Sequence, residues 1–296
     1  MLTRDQFDVL TAIEAENNDQ IKGHTQWLPK LSYIGTFDKT LKELNELDLA
    51  KKGAITTKGL DALEVYRARR AIILAAGLGE RMLPLTMNIP KPLVRVNGVR
   101  LIDTALDALR RTGITDVTIV RGHLAEQFDQ LLGEYPFVSF VENPVYKDTN
   151  NISSMMCVRH LLKNAYVLEA DLLIHNRNLI TKYQYCSNYL GIPAEVSDNW
   201  CLESKDGMVT SLTEGGRDCH VMIGLSYWTE RHGGMIADHI ERVYKMPGGR
   251  KLFWDQAFWE YFGERYDNVT IRECKQEDVV EIDTYDDLKK LDSSYP

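Results

Sequence analysis

From the start of the chain to about residue 68, apolar positions recur every three or four residues, the period of one buried helix face. Phe7, Leu10 and Ile13 follow Thr3-x-x-Gln6, a capping-box start. Phe37, Leu41, Leu44 and Leu47 predict another helix from about Thr36. A short basic turn, Lys51-Lys52-Gly53, leads through Ala54-Ile55 to Thr57, which is expected to cap a last helix bearing Leu60 and Leu63. After Arg70 the period changes. Ala71-Ile72-Ile73-Leu74-Ala75-Ala76 is short, continuous and ends at a glycine, the pattern of a parallel strand buried on both faces. Strand and helix then alternate: a helix over 102–111 closed by Gly113, a strand over 117–120, a short helix over 125–132 stopped by Gly133, and strands near 138–141 and 166–169. From about Asn176 closely spaced strands follow over 200–203, 208–212 and 221–228, the first two joined by an Asp206-Gly207 turn. Helices over 234–245 and 254–262, then strands near 269–274 and 279–282, complete the pattern.

This alternation predicts an α/β fold over residues 69–296: a mainly parallel, Rossmann-like sheet with helices on both faces. Residues 1–68 form a separate small domain whose element order resembles a winged helix-turn-helix, as in small bacterial transcription regulators. Its charge argues against DNA. The segment holds nine Lys and Arg against eleven Asp and Glu, and the helix that would read bases carries Asp38, Glu43, Glu46 and Asp48 beside Lys39 and Lys42. Dimerisation or regulation suits it better, with a homodimer as the assembly to expect.

Composition narrows the class without naming a reaction. A net charge of −8 excludes a protein that coats polyanions, though not one that holds a single nucleotide with a few placed cations. Five widely spaced cysteines, none in Cys-x-x-Cys, suit reduced thiols in the cytoplasm better than disulfides or zinc. No signal peptide is visible, and the longest apolar run is far short of a membrane span, so a soluble cytoplasmic protein is expected.

The chemistry concentrates where the first strand empties into Gly77-Leu78-Gly79-Glu80-Arg81. Ligands on parallel sheets bind beyond the carboxyl ends of strands, where this loop and Gly122 both fall. Two glycines let backbone N–H groups close on an anion, and Arg81 adds a planar positive charge for the β and γ phosphates of a triphosphate. Lys91, stiffened by Pro90 and Pro92, suits the α-phosphate and an incoming anion. No Gly-Lys-Ser/Thr follows, which excludes a Walker loop, and Met82 stands where a dinucleotide fingerprint needs its third glycine. Asp171, at the end of a strand, and Asp255 are candidate metal ligands; read from spacing alone, each also suits a turn or helix cap.

The extended pattern, Leu74-Ala-Ala-Gly-Leu-Gly-Glu-Arg-Met82, Pro84-Leu-Thr86 and Pro90-Lys-Pro-Leu-Val-Arg-Val-Asn-Gly98, resembles the signature of nucleoside-triphosphate transferases. Further segments, among them Arg121-Gly-His-Leu-Ala-Glu-Gln-Phe128, Asn150-Asn-Ile-Ser-Ser154, Leu168-Glu-Ala-Asp171, Phe253-Trp-Asp255 and Glu281-Ile-Asp283, are similar to bacterial CTP:phosphocholine and 2-aminoethylphosphonate cytidylyltransferases over residues 70–291. The resemblance implies CTP and a small phosphorylated or phosphonylated amine as substrates and Mg²⁺ as cofactor, while the charge of the first domain and the short apolar runs argue against DNA and a membrane as partners. It puts the catalytic lysine on Lys91 and metal ligands on Asp171 and Asp255. Nucleotide contacts fall on Leu74, Ala75, Ala76 and Gly77, on Gly79 and Glu80, and on Gly122, Ser154 and Ala170. For the acceptor, Trp200, Phe253 and Trp254 either cage a trimethylammonium or belong to the core, while Glu195, Asp198 or Glu281 suit a primary ammonium. A sugar 1-phosphate acceptor, or a winged-helix regulator with a nucleotide-sensing domain, is the alternative reading.

Overall fold

The computed structural model describes residues 1–17, 34–263 and 266–296. The chain divides into two compact units, Met1–Arg67 with Tyr183–Tyr185, and Ala68–Lys182 with Cys186–Pro296.

The first unit holds α1 (Arg4–Asn17), α2 (Ile34–Glu46), a two-stranded hairpin of β1 (Ala50–Lys51) and β2 (Ala54–Ile55), and α3 (Thr57–Leu63). Thr3 and Gln6 exchange the two hydrogen bonds of a capping box, at 3.1 and 3.2 Å. The last helix is capped by Thr56, not by the neighbouring Thr57, because Thr56 has the extended backbone that aims its hydroxyl at Gly59 N. Phe7, Leu10, Ile13 and Leu44 meet in one core, but Leu47 lies beyond the end of α2 and is 46% exposed, so Leu49 packs in its place. That core is completed by Tyr183, with Tyr185 stacked on Tyr66 at 5.6 Å.

In the second unit β3 (Arg70–Ala75) is the spine of a seven-stranded sheet. Ala71, Ile73 and Ala75 face one core while Ile72 and Leu74 face the other, which is why the whole run is apolar. The signature loop follows, with a small hairpin of β4 (Arg95–Val96) and β5 (Val99–Arg100), then α4 (Leu101–Arg111), β6 (Val117–Arg121) and β7 (Val138–Glu142). Residues 125–133 form a 3₁₀ rather than an α-helix. Phe128 and Leu131, its buried residues, are three apart, which fits the tighter period. After α5 (Ile152–Val158) come β8 (Ala165–Glu169) and the short β9 (Leu172–Ile174).

Where the sequence predicts three short strands there are two long ones, β10 (Asn188–Lys205) and β11 (Met208–Trp228), paired as a hairpin whose register shifts repeatedly. Next come α6 (Glu230–Tyr244), α7 (Trp254–Phe262), β12 (Thr270–Glu273), β13 (Val279–Glu281) and α8 (Tyr285–Leu291). The sheet runs β10-β12-β11-β8-β3-β6-β7, and β3 is parallel to β6 and β8. Because β6 lies on one side of β3 and β8 on the other, the chain reverses direction across the sheet between β3 and β8. The crevice beyond their carboxyl ends is where such folds hold ligands. Among the described residues no helix is long and apolar enough to cross a membrane.

Candidate active site

Both strands that flank this crevice run on into segments that hold candidate site residues. Beyond β3 the loop advances in single 3₁₀ turns, Glu80–Met82, Leu85–Met87 and Lys91–Leu93, not in a helix. Gly79 has φ +67°, and a Cβ there would stand 2.9 Å from Thr86 Cγ2, so only glycine lets the loop fold this tightly. Thr86 closes the turn by donating from Oγ1 to Gly79 O at 2.8 Å, and its own carbonyl lies 2.8 Å from His123 Nε2. Met82 and Val94 anchor the loop in a small core with Leu173, Ile282 and Leu288. Leu74, Ala75 and Ala76 are buried and Gly77 exposed, while Gly122 directly follows β6, and His123 N donates to Ala76 O. Ser154 is buried in α5, accepting from Asn143 Nδ2 at 3.0 Å, and Ala170 is buried just after β8. Glu80 points to solvent.

Lys91 and Arg81 converge on carboxylates. Lys91 Nζ donates to Asp171 Oδ2 at 2.8 Å and lies 3.4 Å from Asp283 Oδ1, which also accepts from Arg81 Nη2 at 2.6 Å. Burial works against the charge of Lys91, but Asp171 and then Asp283 more than offset it and hold its pKa above the ordinary lysine value. A pairing invisible in the sequence assembles this cluster. β9 runs antiparallel to β13, with Glu281 opposite Leu172, and Ile282 N donates to Asp171 O at 3.1 Å. Donor atoms of Asp171, Glu281 and Asp283 consequently lie within 4.8 Å of one another.

The carboxylates outnumber the cations. Glu169, Asp171, Asp255, Glu281 and Asp283 influence one another electrostatically, with Lys91 and Arg81 as their cationic partners. Burial, then the charges of Asp171 and Asp255, hold the Glu169 carboxyl well above its usual range. Desolvation, followed by Asp171 and Asp283, pushes Glu281 up to about 8. Burial alone pushes Asp255 up to about 6, although its Oδ1 accepts from Gln256 N at 3.0 Å. Asp171 Oδ1 is buried with no hydrogen-bond partner among the described residues. A buried, unpaired carboxylate oxygen among like charges fits a hard divalent cation, which takes oxygen ligands and neutralises the surplus.

Of the two metal ligands expected from the sequence, Asp171 therefore stands in the trio, while Asp255 lies in the first turn of α7, outside it. The sequence gives Asp283 no role and offers Glu281 as one of three carboxylates, with Glu195 and Asp198, that suit an ammonium. Their signal was the two-residue spacing, which puts both on one face of an extended segment. Of the aromatic residues expected at the acceptor, Trp200 and Phe253 meet edge to face at 6.0 Å. Trp254 does not join them. It is 2% exposed and packs on Trp228 and Phe258, so its ring belongs to the core. Glu195 and Asp198 are exposed on β10, Asp198 within the register shift between Ser197 and Trp200.

Residues 70–189 match the nucleotidyl transferase family. A 2-aminoethylphosphonate cytidylyltransferase of Lancefieldella rimae is 34% identical over 229 residues, which cover 76% of this chain and 92% of that protein. A choline-phosphate cytidylyltransferase of Streptococcus pneumoniae is 35% identical over 227 residues, 75% of this chain and 96% of that one. The solved CTP:phosphocholine cytidylyltransferase (LicC) of Streptococcus pneumoniae superposes with a TM-score of 0.71 at 33% identity, covering 77% of this chain and 100% of that structure.

Proposed function

We infer, for a chain that belongs to the nucleotidyl transferase family and within it to the cytidylyltransferases, that it transfers CMP from CTP to a small phosphonylated or phosphorylated amino alcohol and releases pyrophosphate. The observation that carries this reading is the convergence of Lys91 and Arg81 on the Asp171, Glu281 and Asp283 carboxylates at the crevice between β3 and β8. An acceptor oxygen must approach an α-phosphorus already surrounded by negative charge, so the barrier is one of electrostatics and position. Lys91 and Arg81, paired with carboxylates here, exchange those partners for phosphate oxygens as the triphosphate enters. Lys91, nearly buried, then faces the charge that grows around the α-phosphorus, and Arg81, exposed at the rim, faces the leaving pyrophosphate. Mg²⁺, held by Asp171 with Glu281, Asp283 or Asp255, supplies charge neutralisation and Lewis acidity when bound. The Gly77–Gly79 turn brings main-chain N–H groups against the nucleotide.

A primary ammonium, as in 2-aminoethylphosphonate, is the preferred acceptor group. With Trp254 turned into the core, two aromatic side chains remain where a trimethylammonium cage would need more walls, and Glu195 and Asp198 offer exposed carboxylates on the same strand as Trp200. Pyrophosphate release from four nucleoside triphosphates against 2-aminoethylphosphonate, phosphocholine, phosphoethanolamine and glucose 1-phosphate tests the reading. The expected ranking is CTP alone with 2-aminoethylphosphonate first and phosphocholine second. Turnover confined to glucose 1-phosphate would replace the reading with a sugar nucleotidyltransferase, and binding of CTP without turnover would favour the nucleotide sensor.

For the first unit we propose assembly, as a homodimer, over DNA recognition. Lys39 and Lys42, the two lysines of α2, pair with Glu43 and Glu46 along the helix, leaving little net charge to follow a phosphate backbone. A chain starting at Arg69 with Tyr183 and Tyr185 changed to serine is expected to keep cytidylyl transfer while losing the dimer in sedimentation. The two changes are needed because both tyrosines pack within the first unit, so that the truncation alone should aggregate. A truncated chain that remains dimeric would remove the assembly role.

A further inference from the structure

Asn151 occupies the N-cap of α5 yet makes no cap there with its side chain. An asparagine in this position ordinarily spends its side-chain oxygen on its own helix. Here Oδ1 accepts instead from Trp254 N at 2.8 Å, the first backbone N–H of α7. That helix needs it, because its own N-cap is Phe253, whose ring has no acceptor to offer. The other end of the amide, Nδ2, donates to Glu169 Oε1 at 3.1 Å. A backbone N–H can only donate, so the amide has a single orientation that serves both partners. Glu169 is held in place from behind: a Cβ on Gly224 would stand 2.6 Å from Glu169 Cγ, so the glycine makes room for the carboxylate stem. Asn150 adds to the tie, bonding Arg250 O through its backbone and Lys251 O through its amide.

One side chain thus joins the residue two before Asp171 to the residue one before Asp255. We propose that Asn151 is a positioning residue for the transfer reaction, capping α7 from outside and thereby fixing Asp255 and Phe253 relative to the strand end that carries Asp171. The proposal rests on the cytidylyltransferase reading for its kinetic consequence and on geometry for the rest. It makes Asn151 a group that acts through Asp255 rather than on the nucleotide.

The test exchanges donor for acceptor. Asn151→Asp keeps an oxygen for Trp254 N but turns a second carboxylate onto Glu169, while adding Glu169→Gln restores the bond with its polarity reversed. The expected result is a fall in kcat of about thirtyfold or more in Asn151→Asp, with the KM for CTP within about threefold, and recovery of at least about tenfold in the double variant. The Mg²⁺ concentration for half of the thermal shift produced with CTP should rise in Asn151→Asp and return in the double variant, a readout that needs no turnover. Parent-like kcat and Mg²⁺ midpoint in Asn151→Asp would overturn the proposal, as would a loss of melting temperature with unchanged kcat per folded enzyme. If Asn151→Asp does not fold, the double variant decides: folded and active supports the tie, folded and inactive overturns it. A parent enzyme that turns over no acceptor would fail the cytidylyltransferase reading instead, and the Mg²⁺ midpoints would still decide the role of Asn151.

Discussion

Lys91→Ala is expected to lower kcat by about a thousandfold, about 4 kcal/mol of transition-state stabilisation, while the KM for CTP rises less than about tenfold. The side chain is only 13% exposed and is held at 2.8 Å from Asp171, so water cannot replace the missing ammonium in the same place. Ground-state binding of CTP has other supports, among them Arg81 and the main chain of the loop. Charge that develops only during transfer has fewer. Steady-state pyrophosphate release with both substrates varied separates the two effects. An equal loss in CTP affinity with kcat unchanged would reduce Lys91 to a ground-state contact.

Asp171→Asn should cost about a hundredfold or more in kcat, and the loss should be partly relieved at high Mg²⁺. The substitution keeps the shape of the side chain and removes the charge of an oxygen that has no hydrogen-bond partner among the described residues. Asp171 sits in a turn after β8 whose main-chain bond to Ile282 N is unaffected, so the fold should survive, with a melting temperature near that of the parent. Asp255→Asn is expected to follow the same direction. Near-parent turnover in both, checked at low and saturating Mg²⁺, would remove the pair from the metal site.

Much of this site could be read from the chain because its signals are local. The apolar run of β3 announces a buried strand, two glycines announce the tight loop, and flanking prolines mark Lys91, all without knowing what lies opposite. The remainder depends on distant pairing. β9 and β13 are three residues each, too short to show a period, and only their antiparallel register delivers Glu281 and Asp283 to Asp171. The hairpin of β10 and β11 hid for another reason: register shifts break the two-residue alternation, so 18 and 21 residues read as shorter pieces. Trp254 shows the limit at a helix start, where spacing cannot say which way the first side chain turns. Asn151 shows it for caps, since its sequence position fits one helix and its oxygen serves another.

The first unit closes its core with Tyr183, and Tyr185 stacks within it, although every residue of that unit outside the segment Tyr183–Tyr185 lies before Ala68. During synthesis, then, α1, α2 and α3 emerge early but stay without two of their aromatic partners until most of the enzyme's sheet has left the ribosome. The small unit is not a finished cassette placed ahead of an enzyme. It matures late, and a gene fusion or transplant that carries only residues 1–67 would move a core with its last piece missing.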